Sequence, residues 1–233
     1  MFNGPGITLF RLFGIPIELR LGFLVIVFLV AYPYLGSLDP DAWIAAGLVL
    51  LVLIISVFLH ELGHVSAGYA CGIPTHRIAF DWFGGVAMMA RFPSSIMGRV
   101  FVLLAGPAVT VVLLGISWIV RNWLGAMPDP SPDAQTLIDY VYSIASLGYQ
   151  INLVLLIFNM MPAFPLDGGQ TLAALLERPV GRRWAHIIVA GIGSALALVG
   201  IYLVFTGQTG LAMAAIVLSL SNFSILKAAW QAR

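Results

Sequence analysis

His60, Glu61 and His64 stand together in the run His60-Glu61-Leu62-Gly63-His64. On a helix, residues four apart share one face, so the two imidazoles point the same way. Two neutral imidazoles at that spacing can ligate one Zn²⁺, and the carboxylate between them can serve as general base. A hydrolytic zinc site also wants a third protein ligand, with one position left for water. Asp167 is a candidate. It sits in Asn159-Met160-Met161-Pro162-Ala163-Phe164-Pro165-Leu166-Asp167-Gly168-Gly169, a break punctuated by Pro and Gly between apolar segments. The competing reading makes Asp167 a polar cap for a segment beginning near Gln170. His76 and His186 are read as interfacial polar residues. The single cysteine, Cys71, excludes an intrachain disulfide and a CxxC zinc site, and is read as a small buried apolar side chain.

The elements that must position these groups are apolar. Of 233 residues, 61% are hydrophobic and 9% charged, which points to a polytopic membrane protein. Six spans are expected, over 19–36, 43–69, 97–120, 137–161, 184–206 and 210–230, the last two joined by a short turn at 207–209. The zinc-type motif ends an uncharged run from Trp43 to Leu59, and ionisable groups within a membrane helix mark a functional site by default. The expected class is an all-α membrane protein of six helices with a small β-hairpin after the helix that carries His60. The whole of 1–233 reads as one membrane-embedded domain with a retained N-terminus.

Charge sets orientation. With both termini cytoplasmic, ten of the eleven basic residues lie on one side and Arg121 alone on the other, a strong positive-inside bias. The opposite side takes Asp39, Asp41, Asp129, Asp133 and Asp139. A net charge of +1 gives no basis for nucleic-acid binding.

Segment 75–93 is too short for a span and carries Asp81 and Arg91 around Gly84-Gly85. It reads as a hairpin. Either it is a structural loop, or its edge pairs with an extended substrate by strand addition, which makes Gly84 and Gly85 candidate substrate-binding residues. Gly106-Pro107 is read as a kink or a close helix contact. Trp82, Phe83 and Phe92 are read as interfacial anchors. Met88, Met89, Met160 and Met161 are read as packing.

The two motifs, HELGH at 60–64 and NMMPAFPLDGG at 159–169, resemble in order and placement those of the site-2 proteases, intramembrane zinc metalloproteases. FGIPIEL at 13–19 and AGP at 105–107 extend the resemblance over most of the chain. It implies that His60, His64 and Asp167 bind one zinc and that Glu61 acts on water. It also implies that Asn159 positions substrate or stabilises the tetrahedral intermediate. The substrate would be a single-span membrane protein cut within or near its helix, in regulated intramembrane proteolysis in a prokaryotic cell membrane. The spacing leaves no room for a PDZ domain between the motifs. No CBS pair follows the last span within this chain. A homodimer is left open. Two other classes compete: a membrane metal transporter, and a catalytically silent zinc-binding membrane protein. A transporter predicts polar groups in both halves of the membrane and often internal repeats, and neither is evident.

Overall fold

The first two elements are strands, β1 (Gly6–Leu12) and β2 (Ile15–Arg20). They are joined by a tight turn in which Phe13 and Gly14 both have positive φ, at 49° and 82°. Two-residue hairpin turns of this kind require positive φ at both positions, which is why Asn-Gly or Asp-Gly usually marks them. A Phe-Gly turn carries half of that signal. The structure is a computed structural model and describes residues 6–34, 37–82, 84–127, 131–205 and 212–231. Phe83, Asp129, the turn at 207–209 and the side chain of Asp133 lie outside the described residues.

The expected hairpin is present as β3 (Thr75–Asp81) and β4 (Gly84–Met89), paired antiparallel. It is half of a larger element. The four strands form one mixed sheet in the order β1-β2-β3-β4, with β2 and β3 parallel. The all-α expectation with an isolated hairpin is therefore corrected to a mostly helical chain with a four-stranded sheet. The β2–β3 pair joins residues about sixty apart in sequence, and Ile17 faces Ile78 across it with neither exposed. Around them Ile15, Phe23, Val57, Val65 and Phe80 form one apolar core. Charges buried in the sheet are paired with one another. The Arg20 guanidinium donates to Asp81 and to Glu18, each at 3.4 Å, and Arg77 donates to Glu18 at 3.2 Å. Such pairing is what permits buried charge at all.

The described residues also form seven helices: α1 (Leu21–Ala31, continued by a 3₁₀ turn, Tyr32–Tyr34), α2 (Pro40–Ala70), α3 (Ile96–Gly125), α4 (Pro132–Asn159), α5 (Asp167–Val180), α6 (Arg182–Phe205) and α7 (Ala212–Gln231). Four of them, over Pro40–Ala70, Ile96–Gly125, Ala134–Asn159 and Arg182–Tyr202, are long and apolar enough to cross a membrane among the described residues. The expected first span, 19–36, begins inside β2. Its helical part, Leu21–Tyr34, reaches only about 21 Å against a hydrocarbon core of about 30 Å.

Two compact units divide the chain. The first is Met1–Arg91 with Ala105–Leu156, and the second is Phe92–Leu104 with Ile157–Arg233. In the first, the sheet packs on α2, and the Asn152 amide of α4 donates to Ser56 Oγ of α2 at 3.0 Å. In the second, α5 packs on α6 around Phe164, Ala173, Val189 and Ala190.

Candidate metal centre

α2 has sharp signals at both ends. Asp39 caps its N-terminus, accepting from Asp41 N–H at 3.0 Å, and Pro40 occupies the first helical position. At the C-terminus Gly72 takes positive φ, 68°. Gly72 N–H reaches Tyr69 O and Ile73 N–H reaches Gly68 O, both at 2.9 Å, which closes a Schellman motif. The helix is therefore regular through 60–64. His60, Glu61 and His64 are all buried.

The two imidazoles converge. His60 Nε2 and His64 Nε2 lie 3.2 Å apart, with the rings edge to face. Two nitrogens bound tetrahedrally at 2.0–2.1 Å from one zinc would stand about 3.3 Å apart, so the pair has the geometry of two ligands. The tautomer of His60 follows from its other nitrogen. Thr110 donates its hydroxyl proton to Gly106 O at 3.3 Å, which leaves Oγ1 to accept from His60 Nδ1–H at 2.8 Å. His60 Nε2 then carries the lone pair that a metal needs. Thr110 has no exposed surface, and nothing in the sequence marks it. Removing such an orienting partner typically costs 10–100-fold in metal affinity. Thr110→Val should therefore weaken zinc binding about tenfold while leaving the fold intact, as measured by competition with a chromophoric chelator.

Glycines let the backbone approach these rings. A Cβ on Gly63 would stand 2.6 Å from Ala105 O and 2.9 Å from Val109 Cγ2, so α2 and this part of α3 are in close contact. A Cβ on Gly106 would overlap His64 Nε2 and lie 2.7 Å from His60 Nε2. Of the two expectations for Gly106-Pro107, close helix contact is the one the packing supports. Glu61 is covered from the sheet. A Cβ on Gly85 would overlap Glu61 Cγ and lie 2.7 Å from Oε1, so the β4 backbone runs directly against the carboxylate side chain. Gly84, at φ 99°, opens that strand beside Val57.

The other candidate residues belong to the second unit. Asn159 ends α4 and is buried. Asp167 is buried in the first turn of α5, with Leu166 as the N-cap. A carboxylate in a first helical turn interacts favourably with the helix dipole. The cap reading is set aside: α5 starts at Asp167 rather than near Gln170, and Leu166 stands at the N-cap, so Asp167 supports the helix as a first-turn acid and not as its cap. A Cβ on Gly168 would overlap Met160 O and one on Gly169 would overlap Ala163 O, so the Gly-Gly pair seats α5 on the preceding break.

His76 is exposed on β3. His186 donates from Nδ1 to Arg182 O at 2.8 Å and stacks on Phe164, with centroids 5.5 Å apart. Close by, Arg99 donates to Glu177 at 2.6 Å. That bond holds the Glu177 carboxyl below the usual carboxylate range, against the opposing effect of its burial. The pair lines a cavity of about 230 Å³ with Phe164, Gln170, Arg182 and His186.

The chain is similar to known proteins. Residues 48–126 and 126–200 match Peptidase family M50. A zinc metalloprotease of Methanocaldococcus jannaschii is 35% identical over 83% of this chain and 52% of its own length. A Synechocystis relative is 32% identical over 81% of this chain and 49% of its own. The chain thus spans about half the length of these curated relatives. A solved structure, the site-2 protease from Methanocaldococcus jannaschii, superposes with a TM-score of 0.70 at 26% identity, covering 95% of both chains.

Proposed function

The chain belongs to peptidase family M50, and from that premise we propose an activity for it: zinc-dependent hydrolysis of peptide bonds within or near the transmembrane helices of membrane proteins. The observation that carries this reading is the convergence of His60 Nε2 and His64 Nε2 at the separation of two zinc ligands, with a buried carboxylate between them in sequence. Asp167 is the third ligand. What supports that assignment is donor chemistry: His60, His64 and Asp167 are buried groups of the kinds that could hold a metal ion. The chain is read as a single protease domain.

When bound, zinc supplies Lewis-acid polarisation and an acidified water near neutral pH. Glu61 accepts a proton from water and passes it to the leaving amine. The contact with Gly85 limits where its carboxylate can swing. Thr110 keeps His60 Nε2 free of a proton. Asn159 donates its side-chain amide to the oxyanion that develops on the scissile carbonyl.

The substrate is a single-span membrane protein. A peptide bond inside a helix is shielded by the helix's own hydrogen bonds, so the substrate must be drawn out into an extended form. β4 is an edge strand of the sheet, and an edge strand can pair with an extended chain. Gly84 and Gly85 therefore hold substrate beside the base. Gly85→Ala would press a methyl group into Glu61 and is expected to lower kcat/KM at least tenfold with zinc binding unchanged. Wild-type kcat/KM in that variant would remove Gly85 from the substrate site.

The chain crosses the membrane several times, with both termini cytoplasmic. The basic-residue bias supports that orientation. The one basic residue assigned to the far side, Arg121, packs over the Tyr149 ring at 4.5 Å.

Cleavage of a single-span substrate by the purified chain in detergent tests the activity. Cleavage should stop on chelation and return with zinc at one equivalent. Cleavage unaffected by chelation would overturn the zinc reading. One bound zinc without cleavage, joined to zinc flux in liposomes, would favour transport.

A further inference from the structure

Asn222 of α7 has no exposed surface and makes two opposed bonds to one backbone unit. Its Oδ1 accepts from Phe164 N–H at 3.0 Å, and its Nδ2 donates to Phe164 O at 2.7 Å. Nδ2 also donates to Leu218 O at 2.8 Å on its own helix. The amide thus pairs with Phe164 as a neighbouring strand would.

Phe164 lies in the Pro-containing break before α5, where regular helical bonding is lost. Broken backbone in a membrane protein persists only where its polar groups find partners. The partners here can be followed one by one. Met161 N–H bonds Phe158 O, Ala163 N–H bonds Met161 O, and Leu166 N–H bonds Ala163 O, at 2.8–3.1 Å. Pro162 and Pro165 have no N–H. Gln170 serves the carbonyls at the end of the break, with its N–H on Leu166 O and its Nε2 on Pro165 O at 2.7 Å. Both backbone groups of Phe164 depend on a side chain from another helix.

We infer that Asn222 is a positioning residue for the third zinc ligand: it clamps Phe164, and through the break it sets the direction in which α5 presents Asp167. The route is short. Phe164 is three residues from Asp167, the turn between them is closed by Leu166 N–H on Ala163 O, and Gly169 of the first turn packs on Ala163. Asn222 is itself held in place. A Cβ on Gly193 of α6 would overlap its Oδ1, so α6 fixes the amide from behind. This inference rests on the zinc-protease reading.

Two variants test it in the purified full chain. Asn222→Ala removes the amide. Asn222→Leu removes it while keeping most of its volume, which separates lost hydrogen bonds from a cavity. Zinc affinity by chelator competition should fall 10–100-fold in both. On a single-span substrate at saturating zinc, kcat should fall while KM stays within about twofold. Wild-type zinc affinity in either variant, with only the melting temperature of the metal-free protein lowered, would reduce Asn222 to a structural role and overturn the inference. Hydrogen exchange in the wild type decides the matter even if neither variant folds. Zinc should slow exchange at the Phe164 amide, because clamp and ligand act as one unit; an unchanged rate would also overturn it. A wild type that binds no zinc would instead sink the metal reading itself.

Discussion

Glu61→Gln should bind one zinc as the wild type does and cleave about a thousandfold more slowly. Glutamine has the shape of glutamate, so the contact with Gly85 and the helix around it persist. The proposed ligands are untouched, and zinc affinity should stay within a few-fold. What disappears is the only proton acceptor of the HELGH run besides the two imidazoles, which are the proposed metal ligands. A positioned general base contributes about 10²–10⁴ in rate. A thousandfold loss corresponds to about 4 kcal/mol of transition-state stabilisation. The measurement is single-turnover cleavage of a membrane substrate at saturating zinc, beside zinc stoichiometry on the same preparation. The split between binding and rate is diagnostic. A transporter or a silent zinc protein has no use for a base and would tolerate the change. Cleavage by Glu61→Gln within tenfold of the wild type would sink the assigned role.

The site was legible in the sequence as far as its chemistry is local. HELGH is a four-residue spacing on one helix, and helix periodicity converts that spacing into a shared face without any tertiary information. The convergence of His60 and His64 is that prediction in coordinates. What supports the pair was not legible. Thr110 and Gly106 lie more than forty residues from His60 on another helix, and threonine or glycine in an apolar span is ordinary in composition. Their roles arise from the crossing of α2 and α3, which no spacing rule encodes. Asn222 is hidden in the same way, as one of several polar residues in a mostly apolar helix, with a partner that is a backbone unit 58 residues away.

The strands divide along similar lines. β3 and β4 announce themselves through Gly84-Gly85 between two β-like runs. β1 and β2 do not, because Phe13 stands where asparagine or aspartate would signal the turn, and β1 is exposed along nearly its whole length. A fully exposed edge strand has no alternation to read. The parallel β2–β3 pairing compounds this, since register between distant strands is set by the common core of Ile17, Ile78 and Phe80, seen only once folded. The six-span expectation met a different difficulty. An apolar run does not reveal that Arg20 ends a strand, which leaves the first helix about 9 Å short of the hydrocarbon thickness.

Gly106→Ala should abolish zinc binding while the chain still folds. The added methyl would occupy the space of His64 Nε2 and lie 2.7 Å from both His60 Nε2 and His64 Cε1. These atoms are the proposed ligand ends of two rings, and one ring is pinned by Thr110, so little can give way cheaply. The rings must rotate off their converged arrangement, or α3 must retreat from α2, where Gly63 already brings them into contact. Either response separates the two nitrogens. Zinc affinity should fall at least a hundredfold and cleavage below one per cent of wild type, while overpacking lowers the stability of the metal-free fold by about 1–3 kcal/mol. Gly115→Ala on the same helix is the matched control. Its Cβ would meet nothing within 4 Å. It should leave zinc binding alone and stabilise the helix by roughly 0.5–1 kcal/mol, the ordinary gain of alanine over glycine. Chelator competition and thermal unfolding of the metal-free protein, run on both variants, separate a blocked ligand face from a general intolerance of α3 to bulk. Wild-type zinc affinity in Gly106→Ala would mean that the metal does not bind on the face where His60 and His64 converge.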